Sequence, residues 1–417
     1  MIKESIQEEL KAAHAATTAI KRLADKAKQQ LLKDIASSLE QRVDDIIQEN
    51  KKDLERMDRE DPRYDRLLLD KDRVLALSAS LTDVANLPDP TGVLVSRNAL
   101  ENGLLVEKKT VPLGVVGVIY ESRPNVTVDV AALCIRSGNV CVLRGGSDAW
   151  YTNSVLVEII QGVLRQHNLD THIVQLLPTD RAFVSELLSA TKYVDIIIPR
   201  GSQALIDLVR EQAKVPVIET GAGVCHTYVE RSADLEKAAK IIANAKISRP
   251  SVCNALDTVL VDKEVAKDLL GRVAPYFKES NVNIYADETA YAVLQELGYP
   301  ALELAEEEDF GREFLSLQCS VKVVDGFDEA LAHIANHSSK HSECIVSTDA
   351  ERIGTYMEAV DAAAVYTNAS TRFTDGAAFG LGAEIGISTQ KLHARGPFAL
   401  EKLVTEKWYV TGDGQVR

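Results

Sequence analysis

Cys253 is the residue in this chain best placed to do chemistry. It sits in Ile247–Ser248–Arg249–Pro250–Ser251–Val252–Cys253–Asn254–Ala255, a stretch that reads as a turn delivering a thiol to the end of a strand. Pro250 stops a helix and pushes Arg249 towards extended geometry. The branched, apolar run from Ala255 to Val261 then reads as a strand. Arg249, Ser251 and Asn254 give the thiol polar neighbours, and reactive thiols favour partly exposed, electropositive places. The plain alternative is a small buried hydrophobe, the usual fate of a free cysteine. Of the other cysteines, Cys134 falls in a helix pattern and Cys141 and Cys344 in strand patterns. Cys225–His226 is the rival nucleophile pair, but neighbours on a strand point to opposite faces, so Cys225 is expected in the core.

The chain around this turn is long enough for two to three domains. Its 417 residues are 46% hydrophobic and 26% charged, with a net charge of −15. That balance suits a globular protein and argues against a nucleic-acid partner, which wants a basic footprint. No apolar run approaches the length of a membrane span and no signal-peptide core is present, so no membrane role and a reduced, cytoplasmic setting are expected. The six cysteines show no C-x-x-C spacing, so no metal site is expected.

Residues 1 to about 85 read as amphipathic helices that coat a sheet, and residues 86 to 98 as turns. Leu104 to Val111 reads as a strand, an arm that could pair with the alternating C-terminal run Leu403 to Val410. From Gly114 short apolar strands alternate with helices as far as Val217–Ile218, which starts a further strand. That rhythm implies an α/β protein with a parallel sheet covered on both faces. A second strand–helix series runs from Leu256 to about Thr367. The expected organisation is a cofactor domain over 1–225 interrupted by the arm at 98–112, a catalytic domain over 226–367, and a return segment over 368–399. Residues 400–417 complete a small β hairpin with the arm.

In parallel sheets ligands gather at the carboxyl ends of the strands. Four polar turns fall there: Glu121–Ser122–Arg123–Pro124–Asn125, Arg144–Gly145–Gly146–Ser147–Asp148, Pro199–Arg200–Gly201–Ser202 and Glu219–Thr220–Gly221–Ala222–Gly223. No P-loop and no G-x-G-x-x-G after the first strand of the sheet exist. Arg144 beside Gly145, Gly146 and Ser147 could hold a phosphate bidentately, such as the 2′-phosphate of a nucleotide ribose. Gly201–Ser202 opens a helix, a natural seat for a pyrophosphate on free amides.

These stretches, with Arg249–Pro250–Ser251–Val252–Cys253–Asn254–Ala255 and Gly382–Ala383–Glu384–Ile385–Gly386–Ile387–Ser388–Thr389–Gln390–Lys391–Leu392–His393–Ala394–Arg395–Gly396–Pro397, resemble the aldehyde dehydrogenase superfamily over most of the chain. The resemblance implies that fold, Cys253 as nucleophile with Asn254 near the oxyanion, and a hairpin used for homo-oligomerisation. It implies Glu219, 34 residues before Cys253, as either a structural group or a holder of the nicotinamide end, and Glu313 as a ribose contact. The lysine of the superfamily's cofactor strand is replaced here by Arg144. The branch most closely resembled implies NADP(H)-dependent reduction of glutamyl 5-phosphate to glutamate 5-semialdehyde in proline biosynthesis. It also implies a glutamate 5-kinase as the source of substrate. Ser122, Arg123, Arg249 and Arg372 are then the expected substrate contacts. The alternatives are a hydrolytic NAD-dependent semialdehyde dehydrogenase and a catalytically silent scaffold on this fold.

Overall fold

The structure, a computed structural model, describes residues 5–61 and 63–417. The chain divides into two compact units. The first runs to Thr220 and takes back Gly380–Gly386 and Pro397–Arg417; the second comprises Gly221–Phe379 and Ile387–Gly396. Both units are α/β, each built on a parallel sheet as expected.

The first unit is built on a four-stranded parallel sheet, ordered Val174–Leu176, Val140–Arg144, Val115–Tyr120, Ile196–Arg200. All six residues of Val115–Tyr120 are buried, as expected of a strand covered on both faces. The helix Pro124–Arg136 follows it with proline in its first turn, where the missing N–H costs nothing. Amphipathic N-terminal helices complete the unit: Asp25–Gln41 turns Leu31, Leu32, Ile35 and Leu39 inwards. Val217 makes only an isolated bridge to Ile197, so the strand expected at Val217–Ile218 does not form. Lys214 and Val215 both donate to the carbonyl of Leu188, and Pro216 has no N–H to offer.

An antiparallel arm of Leu94–Ala99, Leu105–Pro112 and Val404–Thr411 belongs to this unit. Residues 86–98 were expected to be rich in turns. Leu94–Ala99 is instead a strand, held by its ladder to Leu105–Lys109 although nearly all of it is exposed.

The second unit carries a seven-stranded parallel sheet: Leu302–Leu304, Asn283–Ala286, Gln318–Val324, Leu256–Asp262, Cys225–Val229, Ser342–Val346, Ala364–Thr367. Cys225–Val229 and Leu256–Asp262 are adjacent, and their ladder shifts register between Cys225 and His226. After Thr367 the chain doubles back along Ser342–Val346. The Ala369 carbonyl accepts from Cys344 Sγ, and Thr374 Oγ1 bonds Ser342 Oγ. This return brings Arg372 to the amino end of the sheet.

Beneath this sheet His226, His333 and His337 pack together with Phe310. His226 Nδ1 lies 3.0 Å from Glu343 Oε2. His333 is buried, and its Nε2 has no hydrogen-bond partner among the described residues. Burial first, and then the neighbouring His226, His337 and Lys322, push the His333 pKa down to about 2. The folded state therefore holds His333 neutral, whereas the unfolded chain protonates it near pH 6.5. Its contribution is fully present above that pH and is lost as pH falls towards 2. Asp257, raised to about 6 by burial, acts in the opposite sense but is common to wild type and variant. Between pH 7.5 and 5.5, wild type should lose about 1.4 kcal/mol more stability than His333→Leu. Urea unfolding at the two pH values measures this, and equal losses would contradict the assignment.

Candidate active site

Cys253 lies on the turn between the helix Leu235–Ile247 and the strand Leu256–Asp262, closed by an Ala255 N–H to Val252 carbonyl bond. It is the one cysteine of six that is not buried. Burial drives the thiol pKa of Cys225, Cys319 and Cys344 up, which keeps them protonated and inert. The rival Cys225 is fully enclosed, with its Sγ against the Cys253 carbonyl oxygen at 3.2 Å.

The backbone of this turn is held on both sides. A Cβ placed on Gly223 would lie 1.6 Å from the Cys253 carbonyl oxygen, so no other residue fits there. Gly223 is fixed by its N–H, which donates to Glu313 at 2.8 Å. Asp257 accepts from the backbone N–H groups of Cys225 and Phe314 and lies 3.7 Å from the buried Lys246 ammonium. A carboxylate one residue into an apolar strand was the available signal for this brace. Glu313, expected at a ribose, is thus tied to the strap that confines Cys253.

Asn254 is buried. Its amide group donates to the carbonyls of Arg372 and Thr374, at 3.3 and 2.9 Å. Its Oδ1 accepts from Arg372 Nη1. Both N–H bonds are committed to backbone carbonyls, whereas Asn254 had been expected near the oxyanion. Thr371 Oγ1 returns a bond to the Asn254 carbonyl at 2.8 Å, and Arg372 Nε donates to Ser248 Oγ at 3.2 Å. Arg249 is exposed and Arg372 half-buried. Burial, and then the charge of Arg249, lower the Arg372 pKa. Ser248 and Thr371 were not singled out by sequence, because their partners lie more than a hundred residues away.

Apart from Glu313, the residues expected to bind a cofactor lie in the first unit. Arg144 ends its strand and donates from Nη2 to the Thr179 carbonyl at 2.7 Å. Its Nε is buried with no partner among the described residues. Burial and then the Arg181 charge lower its pKa. An unpaired buried guanidinium edge beside a second cation fits an anionic group such as a phosphate. Gly145 and Gly146 are explained by close packing, since a Cβ on either would strike Asn153 or Asp148. Ser147 is exposed at the start of a short turn of helix.

At Gly201–Ser202 one amide is already taken. The Ser202 N–H already donates to Glu121 Oε2 at 2.9 Å, and a Cβ on Gly201 would meet the same carboxylate. A side-chain anion therefore stands where a pyrophosphate was expected. It is stabilised by the positive end of the helix Gln203–Gln212. Glu219 is half-buried, 3.5 Å from Arg210 of that helix. Ser122, expected at substrate, is buried with a positive φ of 41°, and its hydroxyl donates to Asp148. Arg123 is the residue preceding the helix Pro124–Arg136.

Three comparisons bear on this geometry. The aldehyde dehydrogenase family model matches residues 2–293. The chain is 53% identical to the gamma-glutamyl phosphate reductase of Pelodictyon phaeoclathratiforme, covering 100% of both chains, and 54% identical to that of Chlorobaculum parvum, covering 99% of both. The crystal structure of gamma-glutamyl phosphate reductase from Thermotoga maritima superposes with a TM-score of 0.94 at 38% identity, over 99% of this chain and 100% of that one.

Gly223→Ala should displace the Cys253 turn without unfolding the sheet. A misplacement of about 1 Å costs roughly 10²-fold in rate, so turnover should fall by about that factor with an unchanged far-ultraviolet circular dichroism spectrum. Full activity in this variant would contradict the close approach.

Proposed function

The chain belongs to the aldehyde dehydrogenase family and, within it, to the gamma-glutamyl phosphate reductases, and from that premise we propose that it reduces L-glutamyl 5-phosphate to L-glutamate 5-semialdehyde with NADPH, releasing phosphate. The observation that carries this is the single accessible thiol, Cys253, on a rigid turn beside Arg249 and Arg372.

Cys253 Sγ attacks the acyl carbon, a C–S bond forms, and the C–O bond to the phosphoryl group breaks with its electron pair leaving on phosphate. A thiol is only a few per cent ionised near neutrality, and the two guanidinium groups favour the thiolate and the departing anion alike. The nicotinamide, when bound, supplies hydride to the thioacyl carbonyl. The tetrahedral adduct on Cys253 then releases the aldehyde and regenerates the thiolate. Phosphate is itself the leaving group, so no water-activating base is required, and Glu219 acts as a structural partner of Arg210. Of the expected oxyanion donors, Asn254 and nearby backbone amides, the Asn254 side chain already donates to two carbonyls.

Arg144 holds the ribose phosphate of NADPH through its open Nε edge. A labile acyl phosphate calls for a kinase acting on glutamate as its source. The arm supports a homo-oligomer: Leu94–Ala99 and Val404–Thr411 are both edge strands, with Leu94, Trp408 and Val410 exposed. Among the described residues, no helix is long and apolar enough to cross a membrane.

In the reverse direction, oxidation of semialdehyde with NADP should require phosphate or arsenate. Turnover without either would favour the hydrolytic reaction. Cys253→Ala should abolish aldehyde formation in a single turnover, and undiminished product would exclude the thioacyl route. Arg144→Leu should raise KM for NADPH about 10–100-fold, the range for a lost charged hydrogen bond, and leave KM for NADH nearly unchanged. Equal changes for both cofactors would remove Arg144 from the ribose phosphate.

A further inference from the structure

The two arginines beside Cys253 are assembled in a way that implies a division of labour. Arg372 is not a mobile surface side chain. Asn254 Oδ1 and Ser248 Oγ grip its guanidinium at two nitrogens, and the Asn254 amide grips its backbone carbonyl. These holders flank the nucleophile on the same turn, one residue after it and five before. Arg249 lies on that turn as well, close enough to disfavour the Arg372 cation. Two like charges held together cost energy unless an anion completes the arrangement. Asp375, whose charge favours the Arg372 cation, already accepts from the Ala377 and Ala378 N–H groups. The substrate offers two anionic groups, a monoanionic α-carboxylate and a phosphoryl group. Only the phosphoryl group is bonded through one oxygen to the carbon that Sγ attacks. A guanidinium anchored to the nucleophile's own turn therefore meets the phosphoryl group.

We propose that Arg372 and Arg249 form the phosphoryl subsite, and that Asn254 is a positioning residue that locks Arg372 onto it. The proposal rests on the acyl-phosphate reading above. In the forward step the subsite takes the charge of the departing phosphate as the C–O bond breaks. In reverse it holds inorganic phosphate while one phosphate oxygen attacks the thioacyl carbon and the C–S bond breaks. The aldehyde, which has no phosphoryl group, does not use it.

The test is the reverse reaction of the full-length enzyme, with KM measured separately for inorganic phosphate and for semialdehyde. Asn254→Ala should raise KM for phosphate at least tenfold and move KM for semialdehyde less than twofold. Ser248→Ala, at an exposed position, keeps the test open should Asn254→Ala misfold. It should raise KM for phosphate about threefold with an unchanged melting temperature. Asn254→Asp keeps an acceptor for Arg372 but adds a competing anion, so it should weaken phosphate at least as much as the alanine variant. Equal rises in both KM values, or no change in KM for phosphate in Ser248→Ala, would overturn the subsite. Wild-type oxidation that needs no phosphate would instead overturn the acyl-phosphate reading itself.

Discussion

The near-contact of Gly223 with the carbonyl oxygen of Cys253 is the constraint on which the second unit's site depends. It leaves no space for a side chain, so the strand Cys225–Val229 and the turn before Leu256–Asp262 are fixed relative to each other by backbone alone. Such an approach persists only if each polar group displaced from water finds another partner. Glu313 takes the Gly223 N–H, Asp257 takes those of Cys225 and Phe314, and the Cys225 thiol meets the Cys253 carbonyl. The nucleophile is thus presented by a braced turn. Preorganisation of this kind lets a weakly ionised thiol act without rebuilding its surroundings at each turnover.

In the first unit the same physics produces internal closure. Glu121 and Asp148 supply anions to the Ser202 amide and the Ser122 hydroxyl. The turns after the strands are consequently braced by the protein's own carboxylates. Positive charge is left open at Arg144, whose Nε has no partner among the described residues. A glycine-rich turn can therefore exist for packing, with ligand recognition carried by one arginine at its edge.

Much of this was legible in the sequence, for identifiable reasons. Pro250 and the polar residues around Cys253 marked an exposed turn, and continuous apolar runs marked the buried strands of both sheets. Asn283–Ala286 and Leu302–Leu304 escaped notice because they are short, and Leu302–Leu304 is largely exposed. Leu94–Ala99 lacked the alternation of a half-buried strand. The bonds of Asn254 were not legible because an asparagine beside a nucleophile has two plausible uses, and its partners Arg372 and Thr374 lie more than a hundred residues away. The rule that ligands gather at carboxyl strand ends directed attention to the polar turns of the first unit. It does not describe the second, where Cys253 precedes its strand and lies at the amino end.

The pairing of Leu105–Pro112 with Val404–Thr411 carries a consequence for how the molecule is made. Every residue of the second unit lies between these two strands in the chain. During synthesis the middle strand of the arm emerges early and waits, with one edge unpaired, until Val404–Thr411 leaves the ribosome. Non-local pairings of this kind form slowly and leave strand edges exposed to association in the interval. The nascent chain therefore passes through a stage in which the second unit's core can already be packed while the arm is an open ribbon. A chaperone or a neighbouring nascent copy would find its target there.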